Sequence, residues 1–146
     1  LESWNKIPGV TASMKALQSG ALYSQYVDAG KYDVCVAPGD PSVFGNDMDL
    51  LLSWWFRGTT WADKRYHWAG TPEHDQTISL MDQAVSTTDH GEALRLWGQA
   101  IDIIADQVPL YPIFHRKLPT AWHGSELKGF QPLPTTGLSF LGVERN

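Results

Sequence analysis

Cysteine is almost missing from this sequence: Cys35 stands alone among 146 residues, so no internal disulfide can form. Its surroundings, Tyr32-Asp33-Val34-Cys35-Val36-Ala37, read as a buried strand, where a free thiol is an inert packing group. Long apolar runs are missing too. No stretch approaches the roughly 20 residues that span a bilayer. The chain opens Leu1-Glu2-Ser3-Trp4, without the charged start and apolar run of a signal peptide. The absent initiator Met suggests an excised piece or mature fragment. Clustered positive charge is the third absence. The formal net charge is −5, and the 11 Lys and Arg residues nowhere gather into a patch of the kind that neutralises a phosphate backbone. Nucleic acid is therefore a poor candidate partner.

The machinery of several enzyme classes is lacking as well. There is no Gly-x-Ser-x-Gly elbow, and a mid-strand Cys35 is not an activated nucleophile. The five histidines, His67, His74, His90, His115 and His123, never stand at the His-x-x-x-His spacing that puts two imidazoles on one helix face for zinc, and they read as surface or hydrogen-bonding side chains. Asp47 and Asp49 lie two apart, on different sides of a helix, so they make no acid/base pair; Asp47 reads as a helix cap. No Gly-rich phosphate loop is present. Neither enzyme activity, nor a metal, nor a cofactor is expected.

What remains is the composition of a globular domain with 42% hydrophobic and 18% charged residues. Gly9 to Leu17 sets Val10, Ala12 and Met14 against Thr11, Ser13 and Lys15, the period of two of a half-buried strand. A helix with Leu17, Leu22 and Tyr26 on its apolar side follows and stops at Gly30. Tyr32 to Ala37 is a second strand. Strand, helix and strand make a βαβ unit, for which a parallel pair with a right-handed crossover is the expected geometry. The expected fold class is α/β, with a small mixed or parallel sheet flanked by helices.

Pro38-Gly39-Asp40-Pro41-Ser42 is a turn at the end of the second strand, a favoured place for a ligand in an α/β sheet. Asn46 or Asp47 then caps a helix that places Leu50, Leu51, Trp54 and Trp55 on one face and ends near Gly58. Thr71 as N-cap and Pro72 at the first helical position open another helix, with Ile78, Met81 and Val85 on its buried side. The longest helix spans roughly Asp89 to Gln107, with Leu94, Trp97, Ile101 and Ile104 as its core stripe. Beyond it, Val108 to His115 is extended, because Pro109 and Pro112 exclude a helix. The tail is rich in loops, with one late strand in the apolar run Leu138 to Val143.

Four tryptophans, Trp54, Trp55, Trp61 and Trp68, fall in one short stretch beside Arg57, Lys64 and Arg65. Aromatic rings with a few cations suit a concave site that stacks on sugars, rings or peptide planes and anchors carboxylates. The competing reading is that one of each adjacent pair packs in the core. The candidate ligand-binding residues are Pro38, Gly39, Asp40, Trp54, Trp55, Arg57, Trp61 and Arg65.

From Lys31 onward the order of features resembles the C-terminal third of the peptide-, nickel- and oligosaccharide-binding proteins that serve ABC importers. The matching pieces are Gly30-Lys31-Tyr32-Asp33-Val34, Gly39-Asp40-Pro41, the helix ending Ile104-Ala105-Asp106-Gln107-Val108-Pro109-Leu110-Tyr111-Pro112, and Leu127-Lys128-Gly129-Phe130. The resemblance implies two α/β lobes clamping a solute. Residues 1–108 would belong to the second lobe, and residues 109–146 would form the hinge crossing and a C-terminal segment of the first. It implies an extracytoplasmic protein, periplasmic or a cell-surface lipoprotein, that hands a peptide or peptide-like solute to membrane permease subunits. Oligosaccharide binding on the same fold is the alternative, ahead of a non-transport enzyme or an adhesion module. Where peptide-binding members carry an acidic residue for the ligand's ammonium group, three positions before the Asp-Pro pair, this chain has Ala37. That departure favours blocked or cyclic peptides, glycan fragments or peptides held through their backbone. In a fragment, Ile113, Phe114, Phe140 and Leu141 would lose their partner lobe, and a homodimer or an exchanged tail is expected.

Overall fold

The helix starts are set by side chains that do the work of the missing helical acceptor. In the computed structural model, which describes all residues except 38, 40, 116, 118, 120, 132 and 134–138, Asp47 accepts from the Leu50 amide ahead of α2 (Met48–Phe56). Thr71 accepts from the His74 amide ahead of α3 (Pro72–Ser86), which has proline in its first turn. Asp89 accepts from the Glu92 amide ahead of α4 (His90–Gln107). Each cap satisfies an amide that has no partner within its helix. Helix α4 ends at Val108, held in the left-handed region (φ 50°), where Pro109 forbids continuation. A β-branched residue there stores strain that glycine would not. Among the described residues no helix is long and apolar enough to cross a membrane.

The chain divides into two units, Leu1–Ala37 and Pro38–Asn146. In the first, a 3-10 turn (Trp4–Lys6) precedes α1 (Ser19–Leu22), which runs on into a π-helical turn (Tyr23–Val27), and Gly30 follows at φ 63°. Val27 is buried at 2% exposure. The two expected strands are not there. The stretch from Gly9 to Leu17 has no strand partner; instead the Asn5 side chain clamps both backbone groups of Ala12, at 2.6 and 3.1 Å. Tyr32 to Ala37 likewise forms no strand, and Val34 and Val36 are exposed. A period of two marks a face that needs covering, but a strand exists only where a neighbour completes its ladder. The expected βαβ crossover and parallel sheet are therefore corrected. The sheet seen among the described residues is a two-stranded antiparallel pair, β1 (Leu127–Lys128) with β2 (Glu144–Arg145), in the register Leu127 opposite Arg145.

The second unit is built on the α3–α4 hairpin. Its core joins Leu52 and Phe56 of α2, Trp68 from the stretch before α3, Met81 and Ala84 of α3, and Leu96, Trp97, Ala100 and Ile104 of α4. Met81, Trp97 and Ile104 are buried as expected, but the faces differ at other positions: Val85, Leu94 and Ile101 are exposed, while Thr77, Ala84, Leu96 and Ala100 are buried, the small Thr77, Ala84 and Ala100 letting the helices approach closely. On α2 the expected shared face splits, with Leu50 and Trp54 outward and Leu52 and Phe56 inward. The late strand falls at Glu144–Arg145 rather than within the run 138–143. Of that run, residue 138 lies outside the described residues, and Phe140 to Val143 close a turn in which the Val143 amide donates to the Phe140 carbonyl at 3.1 Å.

Candidate functional site

Residues 39 to 68 carry the candidate site, and two backbone devices hold it. Gly39 lies against the Trp55 indole: a Cβ built there would sit 3.2 Å from Trp55 Cζ2, so a side chain at this position would require the ring to give by a few tenths of an ångström. After α2, a π-helical turn (Thr59–Asp63) and the bend behind it are pinned by doubled backbone bonds. The carbonyl of Trp61 accepts from the amides of Arg65 (3.2 Å) and Tyr66 (2.8 Å), and that of Ala62 from Trp68 (2.8 Å) and Ala69 (3.0 Å). Ala62 has no exposed surface, and its small side chain lets the turn fold back on itself.

These devices assemble an aromatic cluster whose rings meet at tilted and edge-on angles. Trp55 and Trp61 have ring centroids 4.6 Å apart, and the Arg65 guanidinium carbon lies 4.1 Å from the Trp61 centroid, within cation–π range. Tyr66 flanks Trp61 at 5.7 Å and Phe56 at 6.1 Å, and Phe56 meets Trp68 edge-on at 6.1 Å. Trp68 in turn meets His74 at 5.1 Å. Aromatic contact thus runs continuously from half-buried Trp55 and Trp61 to the core. His74 closes that line structurally. Its Nε2 bonds the Phe56 carbonyl at 2.9 Å, and since a carbonyl only accepts, that nitrogen carries the proton.

The candidate residues do not all come together. Gly39, Trp55, Trp61 and Arg65 form one group. Trp54 faces away from it, 57% exposed and tilted against Phe44 at 5.9 Å. Arg57 is engaged elsewhere: Nη1 pairs with Asp82 at 2.8 Å, and Nε donates to Ser53 Oγ at 3.2 Å while that hydroxyl donates to Asp49 at 2.8 Å. This chain of contacts ties α2 to α3. Pro38 and Asp40 lie outside the described residues. Tyr66 and Phe44 were not among the candidates. Tyr66 stands in the Trp61–Trp68 stretch, and that placement was the available signal. No group of three or more metal-ligating side chains occurs among the described residues.

The chain is similar to glutathione-binding proteins. Over 134 residues it is 29% identical to the glutathione-binding protein GsiB of Escherichia coli (strain K12), a match that takes in 90% of this chain and 26% of that protein. The proteins of the same name from Shigella flexneri and Salmonella paratyphi A match to the same extent. The chain therefore spans about a quarter of the length of the curated relatives it matches. No family model matches it. The similarity supports a solute-binding role and is compatible with a non-enzymatic one, since the relatives are named as binding proteins.

Proposed function

We propose that this chain is part of the solute-binding component of an ABC importer, which captures a peptide or peptide-like solute outside the membrane and delivers it to permease subunits. The observation that carries this reading is the match to glutathione-binding proteins along 90% of the chain. The cluster of Gly39, Trp55, Trp61 and Arg65 supports it independently. Aromatic faces beside a guanidinium offer what a short peptide presents, namely planes to stack on and carboxylates to pair with. Glutathione is the first solute to test. Ala37 in place of an acidic anchor agrees with a γ-linked peptide, whose ammonium group belongs to an amino-acid head rather than an ordinary peptide N-terminus.

In this reading residues 1–108 belong to a second lobe and residues 109–146 cross back to a first. Ile113, Phe114, Phe140 and Leu141, between 63 and 93% exposed, then pack against that first lobe. The protein is extracytoplasmic, held in a periplasm or as a surface lipoprotein. If such apolar surface stays uncovered, a second copy takes the same place and the chain dimerises.

The test is a titration of the full-length protein with glutathione, free dipeptides, N-acetylated peptides and oligosaccharides, followed by tryptophan fluorescence and by the unfolding midpoint. Only a ligand that prefers the folded state raises the midpoint. Binding of glutathione or another peptide is expected. Saturable binding of oligosaccharides alone would replace the peptide reading, and no response to any of the four classes would end the solute-binding one.

A further inference from the structure

Phe56 is the last residue of α2, so its carbonyl oxygen finds no amide within its own helix. His74 reaches it from α3: Nε2 donates to that oxygen at 2.9 Å, in a bond shut away from solvent. We propose that this bond makes His74 a positioning residue for solute binding, because it fixes the joint that carries Trp55 and Trp61. The role presupposes the solute-binding reading above and adds to it a residue that does not touch the solute.

The joint is short. Trp55 immediately precedes Phe56, and Gly58 leads at once into the turn Thr59–Asp63, which carries Trp61. The two ring centroids are 4.6 Å apart. How the rings meet therefore depends on the direction in which the chain leaves α2. That direction is set by the planar peptide unit between Phe56 and Arg57, and the unit is held at both ends. Its N–H donates to the Ser53 carbonyl at 3.1 Å, and its oxygen accepts from His74.

His74 can serve as a fixed point because it is itself fixed. Its amide donates to Thr71 Oγ1 at 3.2 Å, while that hydroxyl donates to the Trp68 carbonyl at 2.9 Å. The Trp68 ring lies edge-on to the imidazole at 5.1 Å and to Phe56 at 6.1 Å. Only 8% of His74 is exposed. A buried carbonyl deprived of its donor turns toward water or another donor, and the chain behind it follows. The second ring nitrogen has no such part: Nδ1 makes no hydrogen bond, and the Asp75 carboxylate stands 3.6 Å away. What the joint requires at residue 74 is thus one N–H in the place of Nε2, which a glutamine amide supplies. A solute that meets rings already held in place gives up less of its binding free energy to ordering them.

The experiment measures the dissociation constants of glutathione and Ala-Ala-Ala by calorimetry on the full-length protein. Wild type is compared with His74→Leu, His74→Gln, Asp75→Asn and the core variant Met81→Ala, at a temperature where each is fully folded, so that lost stability alone leaves the constants unchanged. His74→Leu is expected to weaken binding by about tenfold, the scale of one buried hydrogen bond, whereas His74→Gln, Asp75→Asn and Met81→Ala should stay within about threefold of wild type. The assignment is overturned if His74→Leu binds like wild type, if His74→Gln loses as much as His74→Leu, or if Met81→Ala loses as much. Should His74→Leu fail to fold, wild type carries the test. A bond that strengthens solute binding is strengthened by the solute in return, so the His74 Nε2–H, followed by nuclear magnetic resonance in histidine-labelled protein, should exchange about tenfold more slowly at saturating solute. An unchanged rate overturns the assignment. Each of these reversals leaves solute binding standing, whereas a wild type that binds neither compound removes the peptide reading as well.

Discussion

Truncating Met81 to alanine asks directly whether the α3–α4 hairpin is the core of the second unit. Met81 has no exposed surface and sits in the cluster with Leu52, Phe56, Trp68, Leu96, Trp97 and Ile104. The change removes three side-chain heavy atoms, worth about 2.4 kcal/mol at about 0.8 kcal/mol for each methylene-sized group. The unfilled space adds about 24 cal/mol per Å³, which brings the total within the range of about 2–5 kcal/mol for such truncations. We expect a loss of about 3 kcal/mol. With a urea slope of about 2 kcal/mol per M, the midpoint falls by about 1.5 M at unchanged slope. Far-ultraviolet circular dichroism and tryptophan fluorescence should give coincident transitions, Trp68 and Trp97 being buried reporters. Met81→Leu, which conserves volume, should cost less than about 1.5 kcal/mol. The control is Val85→Ala on the same helix: Val85 is 56% exposed, and its truncation should change stability by less than about 0.5 kcal/mol. If Val85→Ala costs as much as Met81→Ala, or the order is reversed, the helix presents a different face to the core and the packing described here is wrong.

Two further outcomes follow from local geometry. Arg95 grips Glu92 through Nε (2.8 Å) and Nη2 (2.6 Å), and this hydrogen bonding, together with the charge of Arg95, holds the Glu92 carboxyl below its ordinary pKa. A carboxylate with a depressed folded-state pKa stabilises the fold above its unfolded pKa, and that contribution is lost as pH falls through the folded value. The difference in melting temperature between wild type and Glu92→Gln should therefore shrink below the ordinary glutamate range; a difference constant from neutral to strongly acidic pH would show that the pair contributes nothing. Gly129→Ala should unpair β1 from β2, because Gly129 has φ 73° and a Cβ there would collide with the backbone carbonyl oxygen of Gly142. Hydrogen exchange of the Asn146 amide, which bonds the Glu126 carbonyl at 3.0 Å, should then speed up, and unchanged protection would refute the argument.

The sequence by itself determined the helices and their ends. Asp47, Thr71 with Pro72, and Asp89 start α2, α3 and α4, and Gly30 and Pro109 stand at stops, because caps and breakers act within a few residues of where they are written. It also marked the Trp-rich stretch as the place where ring chemistry gathers. Tertiary structure decided which face each helix buries. Apolar periodicity allowed Leu94 and Ile101 as well as Leu96 and Ala100, and the second pair is the one enclosed in the core with Met81 and Ala84 of α3. It decided that the alternating segments from Gly9 to Leu17 and Tyr32 to Ala37 do not form a sheet, since a ladder is made by a neighbour and not by a pattern. It also separated Arg57 from Arg65 and Trp54 from Trp55. Residues adjacent or nearly so in sequence were parted by the contacts with Asp82, Phe44, Gly39 and Trp61, which no spacing along the chain encodes.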